Sequence, residues 1–303
     1  MHLAEALASG PVVLDGGLAT LLESHGHDLS SALWSARLLR DDPDAIVAAH
    51  AEYFAAGAQV ATSASYQASF DGFGAFGLDR AASERLMRLS VRLARDARDE
   101  ARPDRWVAAS VGPYGAVLAD GSEYQGDYGL SVAELRAFHR PRLAVLADSG
   151  ADVLAIETIP CLAEVEAVLA EIAGSGHPAW LSLTVAEGRT RAGESVAEAF
   201  SMAADVGEVV AVGLNCSAPE EVAGVLALLA QPSGPSGPRP GVAYPNSGQL
   251  WDAVGRRWVG DSRFDAGLVR SWLDAGARLV GGCCRVGPAD IGALADAVRA
   301  GTP

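Results

Sequence analysis

The sequence predicts an α/β fold, a single-domain (β/α)₈ TIM barrel over residues 1–303. Three observations carry that expectation. Short apolar runs alternate eight times with longer helical periodicities. A length of 303 residues fits either two ordinary domains or one such barrel, and 50% hydrophobic residues allow a substantial core. Polar residues recur where the apolar runs stop, and in a barrel all those exits open on one face. A doubly wound sheet also alternates, but no complete glycine-rich phosphate fingerprint follows any strand.

The first strand is expected at 12–15. A helix over 44–56 follows, with Pro43 suited to its start and Gly57 to its end. The second strand covers 59–63. Residues 79–100 alternate Arg with Asp and Glu around Leu86, Leu89 and Leu93, the pattern of an amphipathic surface helix. The third strand is 106–111, and Ser131 with Glu134 makes a capping box for the next helix. Strands at 152–156, 180–184, 209–214, 241–244 and 278–281 then alternate with helices at 162–172, 195–204, 219–229, 265–274 and 288–300. Two insertions break the rhythm. Residues 112–129, rich in Gly, Tyr and Asp, leave the third strand on the exit side, a position suited to a lid. Residues 231–240 are low in complexity and read as a flexible connector on the opposite side.

The formal net charge is -15, spread along the chain. Such a surface disfavours nucleic acid and anionic membranes as partners but not a cationic small molecule, although solubility alone accounts for it. The first ten residues contain Glu5 and no basic start, unlike a signal peptide. No apolar run reaches the ~18 to 20 residues that span a bilayer. Four cysteines, two of them adjacent, do not make a disulfide framework in a chain this long. They fit a reducing cytoplasm, the expected location. No pattern sets an oligomeric state.

Cys216, Cys283 and Cys284 sit at the exits of the sixth and eighth strands. Three thiolates on a tetrahedral Zn²⁺ leave one open position, the arrangement of a catalytic zinc site. A substrate sulfur in that position would be held as a thiolate. Neighbours in a regular strand point to opposite faces, so Gly281 and Gly282 must supply the turn that lets both sulfurs face the mouth. The alternative for each cysteine is a small buried hydrophobe, which is the reading for Cys161. Glu157 ends an apolar run and needs a partner, either a substrate amine or a structural Arg. Asp15 poses the same question. Gly16 and Gly17 offer backbone N–H groups to a substrate carboxylate, or serve only the geometry of a turn.

Six segments together resemble the homocysteine S-methyltransferases. They are Asp15-Gly-Gly, Thr-Ser-Ala-Ser-Tyr-Gln at 62–67, Glu157-Thr-Ile-Pro, Gly213-Leu-Asn-Cys, Tyr244-Pro-Asn-Ser-Gly and Gly281-Gly-Cys-Cys-Arg. The resemblance keeps their order from about residue 11 to the end. It implies a (β/α)₈ barrel with zinc on Cys216, Cys283 and Cys284. It implies that Asp15 and Glu157 belong to the homocysteine pocket, with Glu157 toward the amino group. Gly16, Gly17, Thr62, Ser65, Tyr66, Asn215 and Asn246 complete the expected substrate-binding set. The implied reaction moves a methyl group from a sulfonium donor to the homocysteine thiolate, giving methionine. Compact single-barrel members typically use S-methylmethionine, and some accept S-adenosylmethionine. Betaine-using relatives usually carry a longer C-terminal extension, and cobalamin-dependent relatives add further domains. A selenium-containing acceptor is an alternative. Tyr66, Tyr114, Tyr124 and Tyr128 are candidates to face a cationic donor. Two other classes compete: a structural zinc closed by a fourth ligand, and a binding protein that captures a thiol amino acid without turnover.

Overall fold

Eight apolar runs become eight parallel strands in the computed structural model, which describes residues 1–29, 34–101, 104–230, 238–252 and 257–301. The strands are β1 (Val12–Val13), β2 (Val60–Thr62), β3 (Trp106–Val111), β4 (Val153–Ile159), β5 (Ala179–Leu183), β6 (Val209–Asn215), β7 (Gly241–Tyr244) and β8 (Ala277–Val280). They pair in the order β1-β8-β7-β6-β5-β4-β3-β2. The two ends of that sheet meet through a parallel bridge between Leu14 and Val60. The Gln59 N–H donates to the Val13 carbonyl at 2.7 Å and supports the closure. The expected (β/α)₈ barrel is the observed architecture.

Alternation along the strands divides the core in two. Val12, Leu14, Val60, Trp106, Ala108, Val153, Ala155, Trp180, Ala211, Val242 and Leu279 form one cluster inside the barrel. Their neighbours, among them Val13, Ala61, Val107, Leu154, Leu181, Val212 and Val280, pack with the helices in a larger one. The inner cluster is closed at the strand-entry end by the helix Leu3–Ser9, whose Leu3, Ala6 and Leu7 join it. The Trp106 indole N–H donates to the Met1 carbonyl at 3.2 Å. One end is thereby plugged, and the strand exits are left for chemistry.

Local signals act where they are strong. Asp42 caps the helix Pro43–Ala56 by accepting from the Ala45 N–H at 3.3 Å, and Gly57 ends it at φ 116°. The Ser131–Glu134 capping box opens Val132–Ala147. The amphipathic segment forms one helix, Arg80–Ala101. Other elements differ from expectation. β4 continues through Glu157 and Thr158 to Ile159. The expected helix at 219–229 becomes Glu221–Ala227 and a 3₁₀ turn. That at 265–274 begins as a 3₁₀ turn capped by Asp265, whose carboxylate accepts from the Gly267 N–H at 2.8 Å. The helices Leu18–Ser24, Trp34–Asp41, Phe70–Ala75 and Tyr114–Leu118 were not anticipated, nor were the hairpins Val185–Ala186/Arg189–Thr190 and Leu250–Asp252/Arg257–Val259. Residues 231–237 of the expected connector lie outside the described residues. No helix among the described residues is long and apolar enough to cross a membrane.

Candidate active site

The polar strand exits enclose a cavity of about 260 Å³. Of the residues singled out from the sequence, Gly16, Gly17, Thr62, Tyr66, Glu157, Asn215, Cys216, Cys283 and Cys284 line it. Asp15, Ser65 and Asn246 do not. The Asn246 side chain accepts from the Gly248 N–H at 2.8 Å and shapes a turn behind the cysteines. Ser65 is buried and donates to the Ser110 carbonyl at 2.7 Å.

Backbone bonds bring the three cysteines together from separate exits. The Cys216 N–H donates to the Tyr244 carbonyl (3.2 Å) and the Cys283 N–H to the Pro245 carbonyl (2.7 Å). The Ser247 N–H donates to the Cys284 carbonyl (3.0 Å). Gly281 is required where this turn crosses β1, because a Cβ there would stand 2.6 Å from that of Leu14. Cys216 itself holds a left-handed backbone, φ 46°. The three Sγ atoms lie within 4.8 Å of one another. Cys284 Sγ is 3.9 Å from Cys216 Sγ and 3.8 Å from Cys283 Sγ. Zn–S bonds of ~2.3 Å place tetrahedral ligand sulfurs ~3.8 Å apart, so these two separations fit a zinc site. Cys216 and Cys283 are joined as a disulfide, and both must be thiolates before all three can ligate an ion. Among the described residues this is the one group of three or more His, Cys, Asp and Glu side chains close enough to hold a metal. It leaves a fourth tetrahedral position without a protein ligand from those residue types. Burial pushes the Cys284 thiol up to about 11, with the Glu157 carboxylate adding to the shift. An unaided thiol in this cavity is therefore a poor nucleophile. Cys161, 4% exposed, stands outside the group as a buried small side chain.

Glu157 projects from β4 and is 6% exposed. The Ser110 hydroxyl of β3 donates to its Oε1. Burial raises its carboxyl to about 7, the Ser110 bond opposes the rise and the charge of Asp15 adds to it. Among the described residues no Arg, Lys or His lines the cavity, and none of them supplies the structural Arg considered for Glu157. Asp15 sits beneath, 1% exposed. It accepts from the Thr62 N–H (2.6 Å), the Thr62 hydroxyl (3.0 Å) and the Tyr244 hydroxyl (2.6 Å). Burial raises it to about 6 against those bonds. Its observed contacts brace β1, β2 and β7. The Gly17 N–H is likewise committed, to the Val286 carbonyl at 3.0 Å. A Cβ on Gly17 would come 2.7 Å from the Cys283 carbonyl, so the glycine is required by that close approach.

Asn215 holds the wall next to Glu157. Its Oδ1 accepts from the Thr158 N–H at 2.6 Å and its amide donates to the Thr158 hydroxyl at 2.7 Å. Thr158 sits at φ 62°, a backbone state costly for a β-branched residue, and the two bonds hold it there. Tyr66 is placed by its carbonyl, which accepts from the Gly112 N–H (3.2 Å) and from the fully buried Arg142 (2.9 Å). The 112–129 insertion closes one side. Glu123 and Tyr124 of its 3₁₀ turn line the cavity. Tyr114 instead packs on Tyr128 and Phe138, with ring centroids 5.3 and 5.1 Å away. Thr158 and Gln67, from the segments at 157–160 and 62–67, also line the cavity, as do Ser110, Thr20 and Glu123, which were not singled out from the sequence. A hydroxyl inside the apolar run 106–111 was the available signal for Ser110.

Comparison with known proteins agrees with this geometry. The family profile described as homocysteine S-methyltransferase matches residues 12–298. The homocysteine S-methyltransferase of Bacillus subtilis is 41% identical over 297 residues, covering 94% of this chain and 93% of that protein. A selenocysteine Se-methyltransferase of Brassica oleracea is 42% identical, covering 94% and 88%. The metallated form of the homocysteine methyltransferase from Escherichia coli superposes with a TM-score of 0.84 at 42% identity, covering 95% and 96%. The match runs from β1 through the last barrel helix and takes in every strand exit that contributes to the cavity, and the chain belongs to the homocysteine S-methyltransferase family.

Proposed function

We propose that the chain is an enzyme that transfers a methyl group from a sulfonium donor, S-methylmethionine foremost, to homocysteine, with Zn²⁺ on Cys216, Cys283 and Cys284. The observation that carries this reading is the convergence of three sulfurs on a cavity whose described lining has carboxylates and no basic residue. The metallated state of the Escherichia coli relative supports a metal here. Zinc on three thiolates would lower the pKa of a fourth, substrate thiol and keep it as a thiolate. The need for Cys216 and Cys283 as thiolates supports a reducing cytoplasm as the working compartment.

The side chains supply position and charge. Glu157, steadied by Ser110, accepts the homocysteine ammonium, whose arrival restores the ionised carboxylate that burial disfavours. Asp15, Thr62 and Tyr244 hold the floor, and Asn215 fixes the backbone beside Glu157 through Thr158. With the Gly17 N–H given to the Val286 carbonyl, it is the Gly16 side of the turn that faces the homocysteine carboxylate. A lone pair of the homocysteine sulfur attacks the donor methyl carbon in line. The new S–CH₃ bond forms as the old C–S⁺ bond breaks, and its electron pair returns to the donor sulfur. The products are methionine and a neutral thioether. No proton is delivered to the leaving group, so no general acid is required. With S-methylmethionine the thioether is itself methionine.

The test is a competition assay on zinc-loaded, reduced enzyme with homocysteine and equal concentrations of S-methylmethionine and betaine. The expected result is two methionines per homocysteine consumed, with S-methylmethionine used first. Preferential use of betaine overturns the donor assignment. No methionine from S-methylmethionine, S-adenosylmethionine or betaine overturns the enzyme reading. The Brassica oleracea relative motivates one further arm, selenocysteine as acceptor.

A further inference from the structure

We infer that Glu123 is a specificity-determining residue for the methyl donor: its carboxylate receives the α-ammonium of a sulfonium amino acid. The inference rests on the proposed methyl transfer in this cavity and assigns a role to a wall that the transfer itself leaves unused. Among the described residues two carboxylates, Glu123 and Glu157, line the cavity and no cationic side chain does. One homocysteine ammonium satisfies one of them. Glu157 is the better placed for it, in β4 among the exits that carry the cysteines and bonded by Ser110. The second carboxylate then faces whatever else enters.

Glu123 is built to want an N–H donor. Its Oε2 is buried and has no hydrogen-bond partner. No ion pair reaches the residue among the described residues. Its acidic neighbour Asp120 makes the surroundings more negative, and burial and that charge both raise its carboxyl. Arg191 stands over the Tyr124 ring at 5.4 Å and donates to the Thr184 hydroxyl at 3.2 Å. An orphaned buried acceptor costs free energy until a donor arrives. The backbone that carries Glu123 is also fixed. Gly115 packs so closely on it that an added Cβ would stand 2.7 Å from the Ser122 carbonyl carbon. The wall thus offers a positioned acceptor, with the Tyr124 ring beside it.

The chemistry of the donors makes this selective. S-methylmethionine and S-adenosylmethionine both end in a primary ammonium with three N–H donors. Betaine carries a quaternary nitrogen with none, so it can offset charge at Glu123 but cannot hydrogen-bond to it. The acceptor therefore favours sulfonium amino acids over a donor that is cationic only at the reacting centre.

The test compares zinc-loaded wild type and Glu123→Gln with two donors at saturating homocysteine: S-methylmethionine, and the dimethylsulfonium butanoate that lacks only its α-amino group. Zinc content of the variant is measured alongside. The expected result is a loss of about 10- to 100-fold in kcat/KM for S-methylmethionine, with the desamino donor and the homocysteine KM unchanged. Equal losses on both donors, or no loss on either, overturn the role of Glu123 while leaving the methyl-transfer reading intact. A wild-type enzyme inert with every sulfonium donor overturns both, and the wild-type arm alone reveals that case.

Discussion

Glu157 concentrates the chemistry at the residue scale. An acid buried to 6% exposure beside a second buried acid, with no cationic side chain among the described residues of its cavity, holds its proton up to about 7. Its charge is favourable only when a cationic group arrives. Glu157→Gln is expected to weaken homocysteine binding by ~1.5 to 3 kcal/mol, the usual worth of a charge-assisted hydrogen bond, and to leave bound zinc in place. An unchanged homocysteine KM with normal kcat would assign the residue to structure. The same substitution carries a pH signature. The folded carboxyl titrates at about 7 and the ordinary one at 4.5, so between those values the folded chain holds a proton that the unfolded chain has lost. Stability from this group is fully present below 4.5 and is lost as pH rises through about 7. Urea unfolding of the metal-free, reduced protein should therefore show Glu157→Gln gaining on wild type as pH rises across that window. A difference that stays constant with pH would contradict the raised pKa. Glu157 was legible in the sequence because a carboxylate closing an apolar run is costly. Its partner Ser110 was less so, because a serine inside an apolar strand reads equally well as core. Glu123 lay in a stretch with Asp120 and Asp127, and nothing in the sequence separates an acid that faces a cavity from one that faces water.

At the scale of elements, the site is made by what strands do as they end. β4 carries Glu157 and Thr158 beyond its expected stop, and β6 delivers Asn215 beside them. Thr158, Cys216 and Arg285 all have positive φ, so one position within the end of β4 and two at the cysteine exits are held in conformations that L-residues rarely adopt. Asn215 is the restraint for the first of these. Asn215→Ala would leave the Thr158 N–H buried and unpaired, and a loss of ~1 to 3 kcal/mol is expected from the urea midpoint, with weaker homocysteine binding. An unchanged midpoint would mean that strand pairing alone holds Thr158. The strands and longer helices of the alternating pattern were legible: β3 and β7 fall at 106–111 and 241–244 as expected, and the helix Leu162–Ile172 likewise. The short helices at Leu18–Ser24, Phe70–Ala75 and Tyr114–Leu118 were not. Five to seven residues give at most two turns of periodicity, and such helices persist through tertiary packing rather than propensity.

At the scale of the molecule, barrel closure turns distant sequence motifs into one centre. β6 and β8 are separated by β7, yet their exits bring Cys216 to Cys283 and Cys284 because the Tyr244 and Pro245 carbonyls of the intervening exit accept from both. The plug at the opposite end, from Leu3 and Leu7, joins the inner core and leaves the exit face as the open one. Strand order and the cysteine trio could be anticipated from alternation and motif order. The approach of Gly281 to Leu14 and the disulfide between Cys216 and Cys283 depend on register across the closed sheet, which a one-dimensional pattern does not carry. The central claim is that the trio holds zinc with its fourth position reserved for the substrate sulfur. X-ray absorption at the zinc edge of the reduced, zinc-loaded protein, before and after adding homocysteine, tests this most directly. Three sulfur ligands and one light atom are expected without homocysteine and four sulfurs with it, in wild type and in Cys161→Ala alike. Four protein ligands before homocysteine is added, or a coordination shell that homocysteine leaves unchanged, would contradict it.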